Sequence, residues 1–204
     1  SWPSEGWGLK RMSFPASYQY STVDALQGVR YLEFVALPSG VTVVGTGDTS
    51  HVLGSARIVS LPKSVVDIKD FAFRNNYILE NFYIPNDACA MGQRVFENSN
   101  ALKDMVLPAS MTEIKFQLAY QANCINTVKI PDGVAAIGGN AFWNCVSLTH
   151  ISFPAALASI GDAAFENCTS ARWYDFTACS AVPTLGANAF NAIPADCEIR
   201  VPAA

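Results

Sequence analysis

The stretch from Ile130 to Phe153, IPDGVAAIGGNAFWNCVSLTHISF, decides the fold of this chain because the next stretch repeats it. Residues 153–176 are FPAALASIGDAAFENCTSARWYDF. Both stretches contain an apolar residue followed by proline, then Ile-Gly, Ala-Phe and Asn-Cys, and each pair recurs after the same interval, so that Phe142 is followed by Phe165. Self-similarity at a fixed period is typical of repeat proteins, so the period has to be established before secondary structure is assigned.

The apolar residue followed by proline recurs along the whole chain. It occurs as Phe14-Pro15, Leu37-Pro38, Leu61-Pro62, Ile84-Pro85, Leu107-Pro108, Ile130-Pro131, Phe153-Pro154 and Val201-Pro202, with Phe176-Thr177 in the place of the remaining pair. In residue number, each step is 23 or 24, except that the last is 25. Further apolar residues lie two and five positions earlier, and alternation over the last pair is the period of a strand with one buried face. Proline ends the strand because it cannot donate a backbone hydrogen bond. We therefore expect Ile84, Leu107, Ile130 and Phe153 to lie side by side in one row.

The second half of each period usually carries a small residue followed by an aromatic one. The aromatic residues are Phe73, Phe96, Tyr120, Phe142, Phe165 and Phe190. We expect their rings to stack between successive turns along the convex side of the molecule. Tyr120 and Cys124 are shifted relative to the period, which predicts a local bulge in that turn.

Glycine and asparagine positions predict how the chain turns. Gly138 and Gly161 are expected to adopt a positive φ. The asparagines that share one phase are expected to bond unpaired backbone groups through their side-chain amides; they are Asn75, Asn98, Asn144 and Asn167.

A unit as short as one period cannot bury its own apolar side, whereas stacked units form one continuous core. The sequence therefore predicts a solenoid of about nine turns, with a short-stranded parallel sheet and an irregular or short-helical convex side. We assign residues 9–204 to the solenoid and residues 1–8 to an N-terminal flank, in which Trp2 and Trp7 are candidates for a cap.

One unit carries a family resemblance. Its residues are Cys145, Leu148, Ile151, Phe153-Pro154, Ile160-Gly161, Ala164-Phe165 and Cys168. This unit resembles the BspA-like, treponemal-type leucine-rich repeat, and the similarity covers roughly residues 9–202. The resemblance implies a leucine-rich repeat solenoid. It also implies an extracellular or cell-surface protein of bacterial, phage or protist origin whose repeats bind other macromolecules.

Composition excludes several partners. The chain has 204 residues, 50% of them hydrophobic, with 13 Lys and Arg against 17 Asp and Glu and a net charge of -4. Such a composition is typical of a globular protein. Because there is no run of basic residues, we expect no nucleic-acid partner. Since no stretch approaches about 18 consecutive apolar residues, we expect no membrane span in this chain.

The cysteines do not predict a metal site. The six are Cys89, Cys124, Cys145, Cys168, Cys179 and Cys197, and no two of them are spaced as Cys-x-x-Cys. The two histidines, His51 and His150, lie in different phases of the repeat, so we expect no metal and no cofactor. We interpret the cysteines as buried free thiols that fill space as small apolar groups. A disulfide between Cys145 and Cys168 is the alternative, because both lie at the same level of adjacent turns.

The sequence shows no catalytic arrangement. His150 should point outward from its strand while the neighbouring cysteines point inward, so a Cys-His dyad conflicts with the pattern. Asp175 and Glu198 come nearest to a glycosidase-like pair. However, Arg172 and Arg200 are close in sequence, which favours an ordinary cluster of salt bridges. We predict that the protein is not an enzyme.

The strand positions that flank the buried residues vary from turn to turn. Those that we predict to bind a ligand are Phe34, Ile58, Tyr83, Asp104, Lys129, His150, Trp173, Asp175 and Arg200. Exposed aromatic groups are frequent anchors of recognition. We therefore predict a non-enzymatic module that binds macromolecules, with a protein ligand favoured, in a bacterial surface or secreted protein.

Two alternatives stay open. In one, the module binds carbohydrate, with Tyr83 and Trp173 as stacking platforms. In the other, the repeats are a structural spacer or assembly unit, including a phage-associated one. The sequence predicts no particular oligomeric state.

Overall fold

The structure, a computed structural model, describes residues 11–13, 22–23, 32–45 and 56–202. Within these residues the chain consists of seventeen short strands joined by turns. The strands are β1 Arg11–Ser13, β2 Thr22–Val23, β3 Leu32–Ala36, β4 Val43–Val44, β5 Ala56–Ser60, β6 Asp67–Ile68, β7 Asn81–Tyr83, β8 Ala90–Met91, β9 Asp104–Val106, β10 Glu113–Ile114, β11 Thr127–Lys129, β12 Ala136–Ile137, β13 His150–Ser152, β14 Ser159–Ile160, β15 Trp173–Asp175, β16 Thr184–Leu185 and β17 Glu198–Arg200. The predicted N-terminal flank, with Trp2 and Trp7, lies outside the described residues.

The odd-numbered strands form one nine-stranded sheet in chain order, and the even-numbered strands form two four-stranded sheets. The strands pair in parallel, each with the equivalent strand of the next turn. Thr127, for example, pairs with Asp104 on one side and with His150 on the other. A chain that returns to the same place once in every period is a solenoid, and its apolar side chains form one continuous core.

The predicted row of apolar residues is confirmed. Ile84, Leu107, Ile130 and Phe153 directly follow β7, β9, β11 and β13, and all four are buried. Because the strands that precede them are paired in order, the four side chains lie next to one another along the solenoid. The row forms one edge of the core, where the proline that follows each residue turns the chain away from the sheet.

The parallel solenoid with short strands and an irregular convex side is confirmed, whereas the expected number of turns and the short-helical alternative are not. About seven turns are described rather than nine, and the described residues contain no helix. In six successive turns, the return segment that leads from an even-numbered strand to the next odd-numbered strand holds a pair of non-glycine residues with positive φ, four positions apart. These are Phe71, Arg94, Gln117, Asn140, Ala163 and Asn188, followed by Asn75, Asn98, Gln121, Asn144, Asn167 and Ala192. A right-handed helix does not form across such pairs, because left-handed residues interrupt its hydrogen bonds.

The expected positive φ at Gly138 and Gly161 was also wrong, since Gly45 is the only described glycine with that geometry. These two glycines are required instead by close packing between turns. A Cβ atom on Gly161 would lie 2.5 Å from the backbone nitrogen of Gly139, and one on Gly138 would lie 2.7 Å from that of Phe116. Backbone therefore packs directly on backbone at this level of the solenoid.

The aromatic stack forms inside the core. Ring centroids are 5.7 Å apart for Phe73 and Phe96, and 5.3 Å apart for Phe142 and Phe165. Phe190 continues the stack at 5.4 Å from Phe165. These separations are those of offset-stacked rings, so the phenyl groups fill the space between turns as expected.

Tyr120 is not part of this stack, and the predicted bulge is absent from the turn that contains it. The Ala119 amide donates to Ala141, and the Phe142 amide donates in the same way to Ala164. Ala119 therefore occupies the phenylalanine position, and Tyr120 is one residue beyond it, where its ring stacks on Trp143 at 4.7 Å. The period continues unbroken through this turn.

The asparagines of the return segment act mainly through their backbone. Asn98 Nδ2 donates to Asn75 Oδ1 at 2.8 Å, so this contact joins two side chains rather than a side chain and the backbone. Asparagine is among the residues that tolerate a positive φ best, which accounts for its recurrence here. The amide that bonds backbone belongs to the next residue: Asn76 donates to the Ala56 carbonyl and accepts from the Leu79 amide.

The last turn is two residues longer than the turn directly before it. The steps from β14 to β16 and from β15 to β17 are 25 in residue number, whereas the preceding steps are 23. Ser180 donates to the Ala155 carbonyl, and these two residues are already 25 apart in residue number. The two extra residues therefore lie before Ser180, in the corner that follows Phe176. Both sheets continue in register past this corner.

Ala163 gives a test of the left-handed positions. Its φ is 53°, where a Cβ atom costs about 1–2 kcal/mol, so we expect Ala163→Gly to raise the free energy of unfolding by about 1 kcal/mol. Urea unfolding followed by circular dichroism measures the change. Ala164→Gly is the matched control: Ala164 is buried without a positive φ, so that variant should lose stability. A lower free energy of unfolding in both variants would contradict the left-handed conformation of Ala163.

Candidate functional site

Two rows of side chains project from the outer face of the nine-stranded sheet, on either side of the one residue of each strand that faces the core. In register, the first row includes Phe34, Ile58, Asn81, Asp104, Thr127, His150, Trp173 and Glu198, and the second includes Ala36, Ser60, Tyr83, Val106, Lys129, Ser152, Asp175 and Arg200. We call these two rows the outer ladder. All nine residues predicted to bind a ligand belong to it.

The outer ladder is exposed to different degrees along its length. Ile58, Tyr83, Asp104 and Lys129 are exposed, whereas the remaining predicted residues are half-buried. Val106 is also exposed, and it was not among the predicted binding residues. The alternation of the strand places it on this face, but an aliphatic β-branched residue in a strand is usually assigned to a core.

Trp173 lies in a stack of three side chains. The His150 ring is 4.6 Å from the Trp173 ring with an interplanar angle of 25°, and the Arg200 guanidinium is 4.5 Å from the indole centroid. β13 and β17 flank β15 on opposite sides, so the two neighbours cover opposite faces of the indole. Cation–π attraction and stacking hold this arrangement. A sugar stacks on an open aromatic face, and both faces of Trp173 are covered. Trp173 is therefore not available as a stacking platform for the carbohydrate alternative.

The two carboxylates near this stack have different partners. Glu198 forms an ion pair with Arg200 at 2.9 Å, and this guanidinium holds the pKa of Glu198 below its usual range. Asp175 accepts hydrogen bonds from the hydroxyl and the amide of Thr177, which lower its pKa. A glycosidase-like pair needs one carboxyl with a raised pKa, so this pair does not match that chemistry. The predicted salt bridge forms with Arg200 rather than Arg172.

A groove of about 650 Å³ runs along the outer face over β11 and β13. Its polar lining includes Lys129, Asp132, His150 and Ser152. Among the described residues, no carboxylate lies within ion-pair distance of the Lys129 ammonium. Thr149 Oγ1 and His150 Nδ1 share a hydrogen bond of 2.9 Å, which fixes the imidazole ring. Asp132 was not predicted, although the Pro-Asp-Gly sequence at 131–133 is typical of a turn beside a strand.

The six cysteines are free thiols in the structure, where no disulfide joins Cys145 to Cys168. Each of these two thiols donates to a carbonyl of the preceding turn, Cys145 to Ala119 at 3.2 Å and Cys168 to Phe142 at 3.4 Å. Four cysteines are buried, whereas Cys124 and Cys197 are only half-buried. The part of the chain that the structure describes contains no group of three His, Cys, Asp or Glu residues able to hold a metal ion.

Buried thiols should make the fold sensitive to alkali. Burial raises the pKa of Cys168 to about 12 and that of Cys89 to about 11, from an ordinary value of 9.0. Above pH 9 the unfolded chain releases these protons first, so stability should be fully present below pH 9 and fall toward pH 12. Urea unfolding at a series of pH values measures the slope, and Cys168→Ala should reduce it. An identical slope in that variant would rule out this thiol as a cause.

The geometry defines the class of protein. Short parallel strands that recur every 23 to 25 residues, buried rows of apolar residues and described return segments without a helix make a leucine-rich repeat solenoid. The model of the BspA type leucine rich repeat region matches this chain in six copies, over residues 5–124, 31–148 and 91–202. The chain belongs to this BspA-type leucine-rich repeat family. Among curated proteins none matches it.

Solved structures share the fold. The leucine-rich repeat protein of T. pallidum is similar with a TM-score of 0.69 and 24% identity, and the match covers 82% of each chain. A leucine-rich repeat protein from Bacteroides ovatus gives 0.66 and 24%, over 88% of this chain and 51% of that one. A leucine rich cell surface protein from Faecalibacterium prausnitzii gives 0.58 and 18%, over 95% and 69%. The chain thus spans about half the length of the Bacteroides protein. No helix among the described residues is long and apolar enough to cross a membrane.

Proposed function

We propose that the chain is a non-enzymatic binding module of a bacterial surface or secreted protein, and that its outer ladder recognises a protein ligand. The observation that carries this proposal is the contrast within each strand. From β3 to β15, the strand residue that faces the core is apolar or aromatic and buried in every turn, whereas the two residues beside it differ from one turn to the next and lie on the outer face. A scaffold that repeats its core and varies one face is suited to recognition.

The exposed groups resemble those of protein interfaces. Tyr83 and Val106 are both exposed, and they occupy successive positions of the second row. Lys129, next to Val106 in the same row, offers a positive charge at the edge of the groove. An exposed aromatic group surrounded by polar residues is typical of an interaction hot spot.

The scaffold holds these groups in place before a ligand binds. Parallel pairing fixes the spacing of every position of the outer ladder, and stacking fixes the rings of His150 and Trp173. Since few side chains have to be ordered at the moment of binding, little conformational entropy is lost. Surface location is supported by the family and by the name of the Faecalibacterium neighbour.

Two matched tyrosines allow a test. Tyr83 is 64% exposed on the outer ladder, and Tyr77 is 58% exposed in a return segment. Proteins that bind immobilised chain from bacterial and host extracts would be identified, purified and titrated against wild type, Tyr83→Ala and Tyr77→Ala. We expect Tyr83→Ala to weaken binding by about tenfold or more and Tyr77→Ala to leave it unchanged. Equal loss in both variants, or in neither, would overturn the proposal.

The same variants separate the alternatives. Tyr83 keeps an exposed ring, so a carbohydrate ligand would be detected as binding on a glycan array that Tyr83→Ala abolishes. A structural spacer would show no specific binding to protein or glycan, and its function would survive loss of the exposed groups of the outer ladder. Either result would replace protein recognition as the function of this face.

A further inference from the structure

A column of alternating guanidinium groups and phenyl rings runs along the return segments of three successive turns. The Cζ atom of Arg74 lies 5.4 Å from the centroid of the Phe71 ring, and that of Arg94 lies 5.6 Å from the same centroid. Arg94 Cζ also lies 5.4 Å from the centroid of the Phe116 ring. These separations are those of cation–π contacts. We call Arg74, Phe71, Arg94 and Phe116 the return column.

The Arg94 guanidinium is held between two rings. Phe71 follows β6, Arg94 follows β8 and Phe116 follows β10, so the two rings belong to the turns on either side of Arg94. The Phe116 ring is itself supported by Gly139, where a Cβ atom would lie 3.6 Å from the ring. Both faces of the guanidinium are therefore covered, and its planar edge, which carries the N–H groups, is the part that can meet a ligand.

The N–H groups of this edge have no partner in the part of the chain that the structure describes. No described carboxylate lies within ion-pair distance of Arg94, and its side chain donates no hydrogen bond to a described residue. No nitrogen of Arg94 is buried without a partner, unlike Nε of Arg74. Arg94 therefore presents its donors to solvent, whereas Arg74 forms an ion pair with Glu97 at 3.1 Å.

The carboxylates beside the return column already have partners. Asp67 pairs with Lys69, Glu97 with Arg74 and Glu113 with Lys115, while Asp70 accepts from the backbone and side-chain amides of Gln93. Within residues 67–74, 90–97 and 113–120, all of which the structure describes, Arg94 is the basic residue without an acidic partner. The same segments hold four acidic and four basic residues, so their charges balance.

We propose that Arg94 binds the carboxylate of an aspartate or glutamate side chain presented by a partner protein. The edge of a guanidinium offers two parallel N–H donors, which match the two oxygens of a carboxylate. Because both of its faces are covered, the group is fixed before the ligand binds, and little side-chain entropy is lost. The exposed ring of Phe116 adds apolar contact beside the ion pair, as is usual where arginine anchors an interface.

The charge balance of the site favours a carboxylate over a phosphate group. A phosphate monoester carries nearly two negative charges at neutral pH, and the neighbouring carboxylates would repel the second of them. The site lies on the return segments, so it is separate from the outer ladder and does not depend on the function proposed for that face.

Titration with a single carboxylate tests the site. The probe is N-acetylglutamate N-methylamide, which carries the side chain of one glutamate residue, added over about 1–200 mM at constant ionic strength. In the ¹⁵N-labelled wild-type chain, the Nε–H signal of Arg94 should shift and reach saturation. Arg57 is the internal control, because its Nε already pairs with Glu80 at 2.9 Å, and its signal should shift little.

A substitution of one ring tests whether the return column prepares the guanidinium. Phe116 is exposed, so Phe116→Leu should fold normally while uncovering one face of Arg94. We expect the Kd of the probe to rise by about threefold or more in this variant. Tyr77→Leu is the matched control: Tyr77 is also an exposed aromatic residue of a return segment but lies outside the column, so the Kd should stay the same.

Four results would overturn the proposal. The first is an Arg94 signal that does not saturate or that only follows the signal of Arg57. The second is an equal shift with the neutral probe N-acetylglutamine N-methylamide, which lacks the carboxylate. The third is tighter binding of methyl phosphate than of the carboxylate probe, and the fourth is an unchanged Kd in Phe116→Leu. Because these measurements use a small probe and the return column, they report nothing on the ligand of the outer ladder, and the two proposals fail separately.

Discussion

Phe142→Ala is expected to lower the free energy of unfolding by about 3–5 kcal/mol, which is a large fraction of the stability of a typical domain. The side chain is fully buried, and its ring stacks on Phe165 at 5.3 Å. Its removal leaves a void at a central turn. In a solenoid each turn is stabilised only by its neighbours, so a weak central turn also uncouples the turns on either side.

Chemical denaturation monitored by circular dichroism and by tryptophan fluorescence measures this loss. Phe116→Ala is the matched control, because Phe116 is exposed in the return segment and should lose less than about 1 kcal/mol. Similar losses in the two variants would contradict the assignment of Phe142 to the core.

Gly161→Ala should destabilise the protein by about 3 kcal/mol, although it adds only one methyl group. The new Cβ atom would lie 2.5 Å from the Gly139 nitrogen and 2.9 Å from the Gly138 carbonyl carbon. These are backbone atoms of the preceding turn, so the contact can be relieved only by separating the two turns. That separation would also weaken the hydrogen bond from the Gly161 amide to the Ile137 carbonyl.

The matched control for this substitution is Gly133→Ala. Gly133 is exposed, and a Cβ atom there would meet only the Met111 carbonyl, at 3.3 Å. Differential scanning calorimetry should show a clear fall in Tm for Gly161→Ala and a small change for the control. A small change in both would mean that the turns are less closely packed at Gly161 than the structure indicates.

The period and the outer face could be predicted because both depend on side-chain type. Burial demands an apolar residue at Ile130 and at every equivalent position, so the repeat spacing is visible in the sequence. The residues that alternate with the buried ones must then face outward, which placed Tyr83 and Lys129 correctly. Neither inference needs the path of the return segment.

The first left-handed residue of each return segment could not be predicted, since no residue type marks its position. That position is occupied in successive turns by Phe71, Arg94, Gln117, Asn140 and Ala163. The conformation is imposed by the path of the chain and stabilised by hydrogen bonds between turns, such as the one from Asn140 to Asp162. Tertiary contacts outweigh local preference here.

The error at Tyr120 has a related cause. When turns are aligned by residue type, Tyr120 is matched with the phenylalanines of the other turns. The hydrogen bonds between turns instead place Ala119 at the phenylalanine position, so a small residue occupies that level of the stack. The covered faces of Trp173 were also beyond prediction. They result from the coincidence between the separation of neighbouring strands, about 4.8 Å, and the distance at which flat side chains stack.

The corner after Phe176 has a consequence for how such proteins diversify. It absorbs its insertion while both sheets stay in register, and its Ala178 borders the groove. Insertions at this corner therefore alter the rim of the outer face without cost to the stacked interior. Equivalent corners follow Ile130 and Phe153. Loops of different lengths inserted at these corners would therefore change the edge of the outer face in each turn while the core stays the same.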